Sequence, residues 1–155
     1  MYLTGPNAKR PGSYALESVK SLLETKLRTG AYGVMFAPWS QVEIAGDWAS
    51  ATVLLPTQRP LLILEVNATP SPDEVVQSGE RFDVTVTIEQ IIGPFCAPCE
   101  PLLRDALADI FATSISELDA LALEEAEFTP GAGSDTATGR SNPHTLTLAV
   151  TTQHS

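Results

Sequence analysis

The stretch Arg81-Phe82-Asp83-Val84-Thr85-Val86-Thr87-Ile88-Glu89-Gln90-Ile91-Ile92 decides the fold. Phe82, Val84, Val86 and Ile88 recur at every second position, with Asp83, Thr85, Thr87 and Glu89 between them. Successive side chains of a strand point to opposite faces, so this alternation predicts a strand over 81–91 with one face on a core and one in water. A sheet wet on one side favours antiparallel pairing. The apolar face needs a cover, and the flanking sequence supplies it.

Downstream, Gly93-Pro94 breaks the chain and a helix is predicted from Glu100 to Thr113. Leu103, Leu107 and Ile110 form its apolar stripe, widened by Leu102, Ala106 and Phe111. Pro101 suits the first turn, where its missing N–H is not needed, and Glu100 and Arg104 stand in the favourable i,i+4 order. Ser114-Ile115-Ser116-Glu117 has the spacing of a capping box for a short third helix through Leu123. Phe128 then opens a Gly-, Ser- and Thr-rich loop, Thr129 to Asn142, and His144–Thr151 closes the chain as a strand with Leu146, Leu148 and Val150 alternating against threonines.

Upstream, Ser78-Gly79-Glu80 reads as a turn, and Thr69-Pro70-Ser71-Pro72-Asp73 as a chain break. Leu61, Leu62, Ile63, Leu64 and Val66 form an apolar run, which predicts a strand over Leu61–Val66 covered on both faces. Short strands are expected near Ala49–Leu55. The first helix is predicted from an N-cap at Ser13 to about Thr29, its stripe being Leu16, Val19, Leu23 and Leu27 with Leu22 beside it. Lys26 and Arg28 sit in its last turn, where the helix dipole favours cations, before Gly30 ends it. Residues 1–12, broken by Pro6, Pro11 and two glycines, read as an extended arm ahead of a single domain, 13–155. Two amphipathic helices and a sheet with one apolar face solve each other's burial, giving an α+β fold with both helices on one side of an antiparallel or mixed sheet.

At 155 residues, 43% of them hydrophobic and 18% charged, the chain has the size and composition of one packed domain rather than a disordered one. Its net charge of −10 is uneven. Residues 1–30 carry five basic groups against two acidic, whereas residues 31–155 carry four against seventeen. A body this acidic repels a nucleic-acid backbone and argues against sequence-specific DNA binding. No apolar run reaches the length of a membrane span, and the first residues lack a secretory signal's apolar core, so synthesis in the cytoplasm is expected.

Chemistry-bearing motifs are few. Cys96-Ala97-Pro98-Cys99, opening a helix, is similar to the dithiol motif of thioredoxin-like proteins, and Asn142-Pro143-His144 resembles the proline loop facing such a dithiol. The resemblance covers about a third of the chain and lacks the strands and helices that complete that fold; two buried, inert cysteines near a helix cap are the simpler reading. His144 and His154 are the only histidines, too few to make a metal site with the cysteines. Gly131-Ala132-Gly133 has neither the lysine nor the helix of a phosphate loop, and Glu124, Glu125 and Glu127 read as a solvated edge. No catalytic, cofactor-binding or metal-binding residue is expected, and the chain does not read as an enzyme.

Over residues 14–152 the order of elements resembles the tail-terminator proteins of tailed bacteriophages. The residues that carry the likeness are the first helix Glu17–Arg28, the strand Leu61–Val66, the long alternating strand Arg81–Ile92, the Gly93-Pro94 break before the helix Leu102–Phe111, the Gly-rich loop, and the last strand His144–Thr151. The resemblance implies a structural virion protein made in the host cytoplasm. Such proteins form a ring, typically of six copies, at the head-proximal end of the tail tube; the ring stops tube polymerisation and docks the head side. The implied partners are further copies of itself, the tail-tube protein and a head–tail connector or stopper, with DNA passing through the lumen. The arm 1–12 and the loop Thr129–Asn142 are the expected contact segments. A head–tail stopper and a tail-tube subunit are neighbouring alternatives; a tube subunit needs a longer hairpin than the sequence displays. From a different class, a dithiol oxidoreductase would use Cys96 and Cys99.

Overall fold

In the computed structural model the backbone is described for residues 10–39, 42–47, 60–76, 79–93, 98–121, 123–136 and 139–153; side chains at 70–81, 119–125, 136 and 151–153 are left out of the description. The fold is α+β: helices on one face of a mixed six-stranded sheet. Helix α1 (Pro11–Arg28) leads into a short α2 (Gly30–Met35) and a 3-10 turn (Ala37–Trp39). Strands β1 (Glu43–Ala45), β2 (Leu61–Val76) and β3 (Gly79–Ile92) precede helix α3 (Cys99–Thr113). A 3-10 segment (Ile115–Leu121) then leads into β4 (Leu123–Thr129), β5 (Ser134–Thr136) and β6 (Gly139–Gln153).

The decisive stretch lies at the centre of the sheet, in the order β1-β2-β3-β6-β4 with β5 also on β6. β3 pairs antiparallel with β2 on one side and with β6 on the other, and β1 joins β2 in parallel. Because β3 occupies one edge of β6 along its length, β4 and β5 share the other, β4 against residues 145–150 and β5 against 139–141.

Val84, Val86 and Ile88 are buried beneath the helices with Leu62, Leu64, Leu146, Leu148 and Val150. α1 contributes Ala15, Val19, Leu22, Leu23 and Leu27, and α3 contributes Leu103, Ala106, Leu107, Ile110 and Phe111. The opposite face is wet where Glu65, Asn67, Asp83 and Thr147 lie exposed. At one end of that face Ala45, Leu61, Ile63 and Ile91 form a second buried cluster, so β2 is covered on both sides over Leu61–Leu64, and not at Glu65.

Several expectations are corrected. α1 begins at Pro11 with Arg10 as its cap residue, so Pro11 and Gly12 belong to the helix rather than to the arm. Proline at N1 is pre-set for helical φ, which displaces Ser13 as the start. The strands expected near Ala49–Leu55 lie outside the described residues, as do residues 1–9. The prolines at 70 and 72 do not end β2, which runs on to Val76 with a register irregularity between Pro70 and Val75. Proline is tolerated on a strand edge, and beyond Ile63 no described strand flanks β2 on its outer side. The third helix is a 3-10 segment kinked at Leu118. Phe128 belongs to β4, and most of the predicted loop Thr129–Asn142 is β5 and the start of β6, leaving only 130–133 without strand structure among its described residues. Glu100 pairs not with Arg104 but with Arg140 of β6, at 2.7 Å.

Candidate functional site

Two features of the folded chain stand apart from ordinary packing. One is a buried polar cluster under the start of α3; the other is α2, which has no buried residue.

The cluster arises where the alternation of β3 and β6 is carried past its apolar residues. Gln90 continues the buried phase of Val84, Val86 and Ile88, while Asn142 and His144 continue that of Leu146 and Leu148. The register sets Gln90 opposite Asn142 and Ile88 opposite His144. The Gly131 backbone N–H donates to His144 Nδ1 at 3.0 Å, which leaves the ring proton on Nε2. That nitrogen donates to Gln90 Oε1 at 2.8 Å, and Gln90 Nε2 donates to the Glu100 carbonyl at 3.0 Å. The chain of bonds ties the 130–133 segment, two central strands and the first turn of α3 together. Phe128 packs on the His144 ring at 5.7 Å between centroids, and Phe111 on Phe128 at 5.1 Å.

Burial, and behind it the positive charge of Arg104, pushes His144 down from its ordinary 6.5 to about 4. With 0% exposure and both ring nitrogens engaged, this histidine is neutral and has no free lone pair for an outside proton. Gly131 makes the close approach possible, since a Cβ there would lie 1.6 Å from the Pro143 carbonyl oxygen. Gly139 opens β6 at φ +146, and a Cβ there would lie 1.9 Å from the Ile92 carbonyl oxygen. The described residues of 129–142 are thus pinned to the sheet.

Of the two cysteines of the dithiol alternative, Cys96 lies outside the described residues. Cys99 is the first residue of α3, with 0% exposure in the main core. A thiolate exchanges disulfides only where it can be reached, so this setting is that of a packed small residue. Pro143 sits within β6 opposite Glu89, not on a loop. Among the described residues no group of three or more His, Cys, Asp or Glu could hold a metal ion, and no helix is long and apolar enough to cross a membrane. A groove of about 420 Å³ between α1 and the 3-10 segment is lined by Tyr14, Ser18, Ser21, Thr25, Glu17 and Glu117. Its carboxylates are engaged within the chain, Glu17 by Arg10 and Glu117 by Lys26, each at 2.8 Å.

The signal for the cluster was present in the sequence: Gln90 and His144 are polar residues in the apolar phase of two alternating strands. The signal for Asn142 was weaker, because it falls inside what reads as a loop.

No protein-family model and no curated protein matches this chain.

Proposed function

We propose that this chain is a structural subunit that closes into a ring, in the manner of the phage tail terminators its element order resembles. Its partners on this reading are further copies of itself, the tail-tube protein and a head–tail connector or stopper, and its place is the tail or neck of the virion. The observation that carries the reading is the unlikeness of the sheet's two flanks. One flank is a three-residue parallel strand, β1, beside the outer edge of β2; the other is the antiparallel β4 and β5. A two-fold dimer needs one self-complementary patch, whereas unlike surfaces join head to tail, and head-to-tail contacts that close make rings.

Two further features support it. The 16 residues of β2 span about 50 Å at strand spacing, and the 18 residues of α1 about 27 Å at helical rise, so the β2–β3 hairpin outreaches the helix beside it. Such an extension lets a subunit reach past its own body. The acidic surface suits a lumen that passes DNA without gripping it.

Native mass spectrometry across a concentration series, with negative-stain imaging, tests the reading. The expected result is a species of about six copies that images as a ring with a central hole, the closed product of head-to-tail contact. A chain that is monomeric at every concentration and does not cap purified tail tubes overturns it. The long hairpin also favours a second reading, a tail-tube subunit, because it is the element the sequence lacked for that role. Open-ended tubes that lengthen with protein concentration, in place of closed rings, would select it.

A further inference from the structure

We infer that the bond from Gly131 to His144 is the catch of an acid-released clasp: a second proton on the ring frees residues 130–136 from the edge of β6 while the rest of the sheet stays closed. The neutral imidazole has one lone pair to offer, on Nδ1, and the Gly131 N–H occupies it at 3.0 Å. The other ring nitrogen already carries its proton and donates it to Gln90 Oε1 at 2.8 Å. An incoming proton therefore competes with Gly131 for the same electron pair. Once it is bound, two N–H groups face each other and Gly131 has to leave, whereas the bond to Gln90 survives.

Little else holds the segment. β5 makes three residue pairs with β6, and Asp135, whose side chain is 86% exposed, is bound to Arg140 at 2.8 Å. Closure also has a cost. Asn142 Oδ1, buried beside Gly133, has no hydrogen-bond partner among the described residues, and a desolvated acceptor is relieved when water reaches it. What opens is the edge of β6 at residues 139–141, which β5 covers in the closed state.

The charges around the ring do not offset a second proton. Arg104 of α3 opposes it, and Asp105 lies 3.8 Å from that guanidinium. The Glu100 carboxylate is held by Arg140 of β6 at 2.7 Å, and Asp135 of β5 is held by the same arginine. β3 and β4 bring Ile88, Gln90 and Phe128, all neutral. Glu89 and Glu127 fall on the opposite face by the alternation of their strands, Glu89 accepting from Ser141. The closed clasp thus holds His144 down at about 4, and water that replaces Gly131 at Nδ1 lets it return toward 6.5. As pH falls between those values, the opening equilibrium rises by up to about tenfold per pH unit.

The test follows amide exchange by NMR in the full-length chain between about pH 7 and about pH 4, corrected for the intrinsic pH dependence of exchange. Protection at Gly131 should fall by up to about tenfold per unit while protection at Val86 holds. His144→Gln removes the titrating ring and should flatten the response of Gly131; Asp135→Asn should leave that response in place. Wild-type protection at Gly131 that stays flat, or that falls in step with Val86, overturns the clasp. A slope that survives in His144→Gln or vanishes in Asp135→Asn overturns His144 as the catch. Should His144→Gln fail to fold, the wild type decides: a ring that protonates while the Gly131 amide stays protected overturns the inference.

Discussion

The covered face of the sheet has two ends built on opposite principles. At one end Val84, Val86, Leu146 and Leu148 share the main apolar core with Leu23, Leu103 and Leu107. At the other, in the same two strands and the same phase, Gln90 and His144 hold a relay of hydrogen bonds. The difference follows from what lies above each end. Over the dry end pass mid-helix segments whose backbone bonds are satisfied internally. Over the polar end come the first turn of α3 and the 130–133 segment, whose N–H and C=O groups need partners from outside. Side chains that would be a fault at the dry end are therefore required at the polar one.

The largest expected effect breaks the dry end. Leu107→Ala leaves a cavity in a fully buried position of α3 and should cost about 2–5 kcal/mol, measured by denaturant unfolding. His144→Leu keeps the volume at the polar end but removes both bonds at once, leaving the Gly131 N–H and Gln90 Oε1 unpartnered. The expected loss is about 1–3 kcal/mol, with amide exchange at Gly131 accelerating more than exchange at Val86. If both amides accelerate equally, the relay does not act locally and the two ends are not distinct.

A third effect is set by pH. His144 is pushed down to about 4 in the folded chain from an ordinary 6.5, so between those values the unfolded chain binds a proton that the folded one does not. Its contribution to stability is therefore complete above about 6.5 and is lost as pH falls toward about 4. Stability should decline over that window in the wild type and decline less steeply in His144→Leu, as read by chemical denaturation at each pH. Equal slopes in the two proteins would show that the surface carboxylates alone set the acid response.

Legibility in the sequence tracked how far each element depends on its neighbours. β3 and the second half of β6 were plain, because a period of two in one chain segment reports directly on a half-buried strand. α1 and α3 were plain for the same reason at a period of 3.6, to within three residues at each end. β4 was not: Leu123-Glu124-Glu125-Ala126-Glu127-Phe128-Thr129 is poor in strand-forming residues. It becomes a strand because β6 offers it an unpaired edge. The end of β2 was misread because Pro70 and Pro72 argue against a strand only where both edges need N–H donors. The polar cluster was half legible, in the two polar residues that keep an apolar phase.

By itself, the sequence determined the class of the fold, the two covering helices, the face of the central strands that goes inside, and the uneven charge. Each of these depends on local periodicity or composition, which a chain carries whatever its partners in space. Tertiary structure alone decided which strand lies at an edge, that a Gly-rich stretch is pinned and not free, that Cys99 is sealed in the core, and that α2 stands uncovered. Each of those is a relation between segments far apart in the chain, settled only when burial and backbone hydrogen bonding are satisfied together.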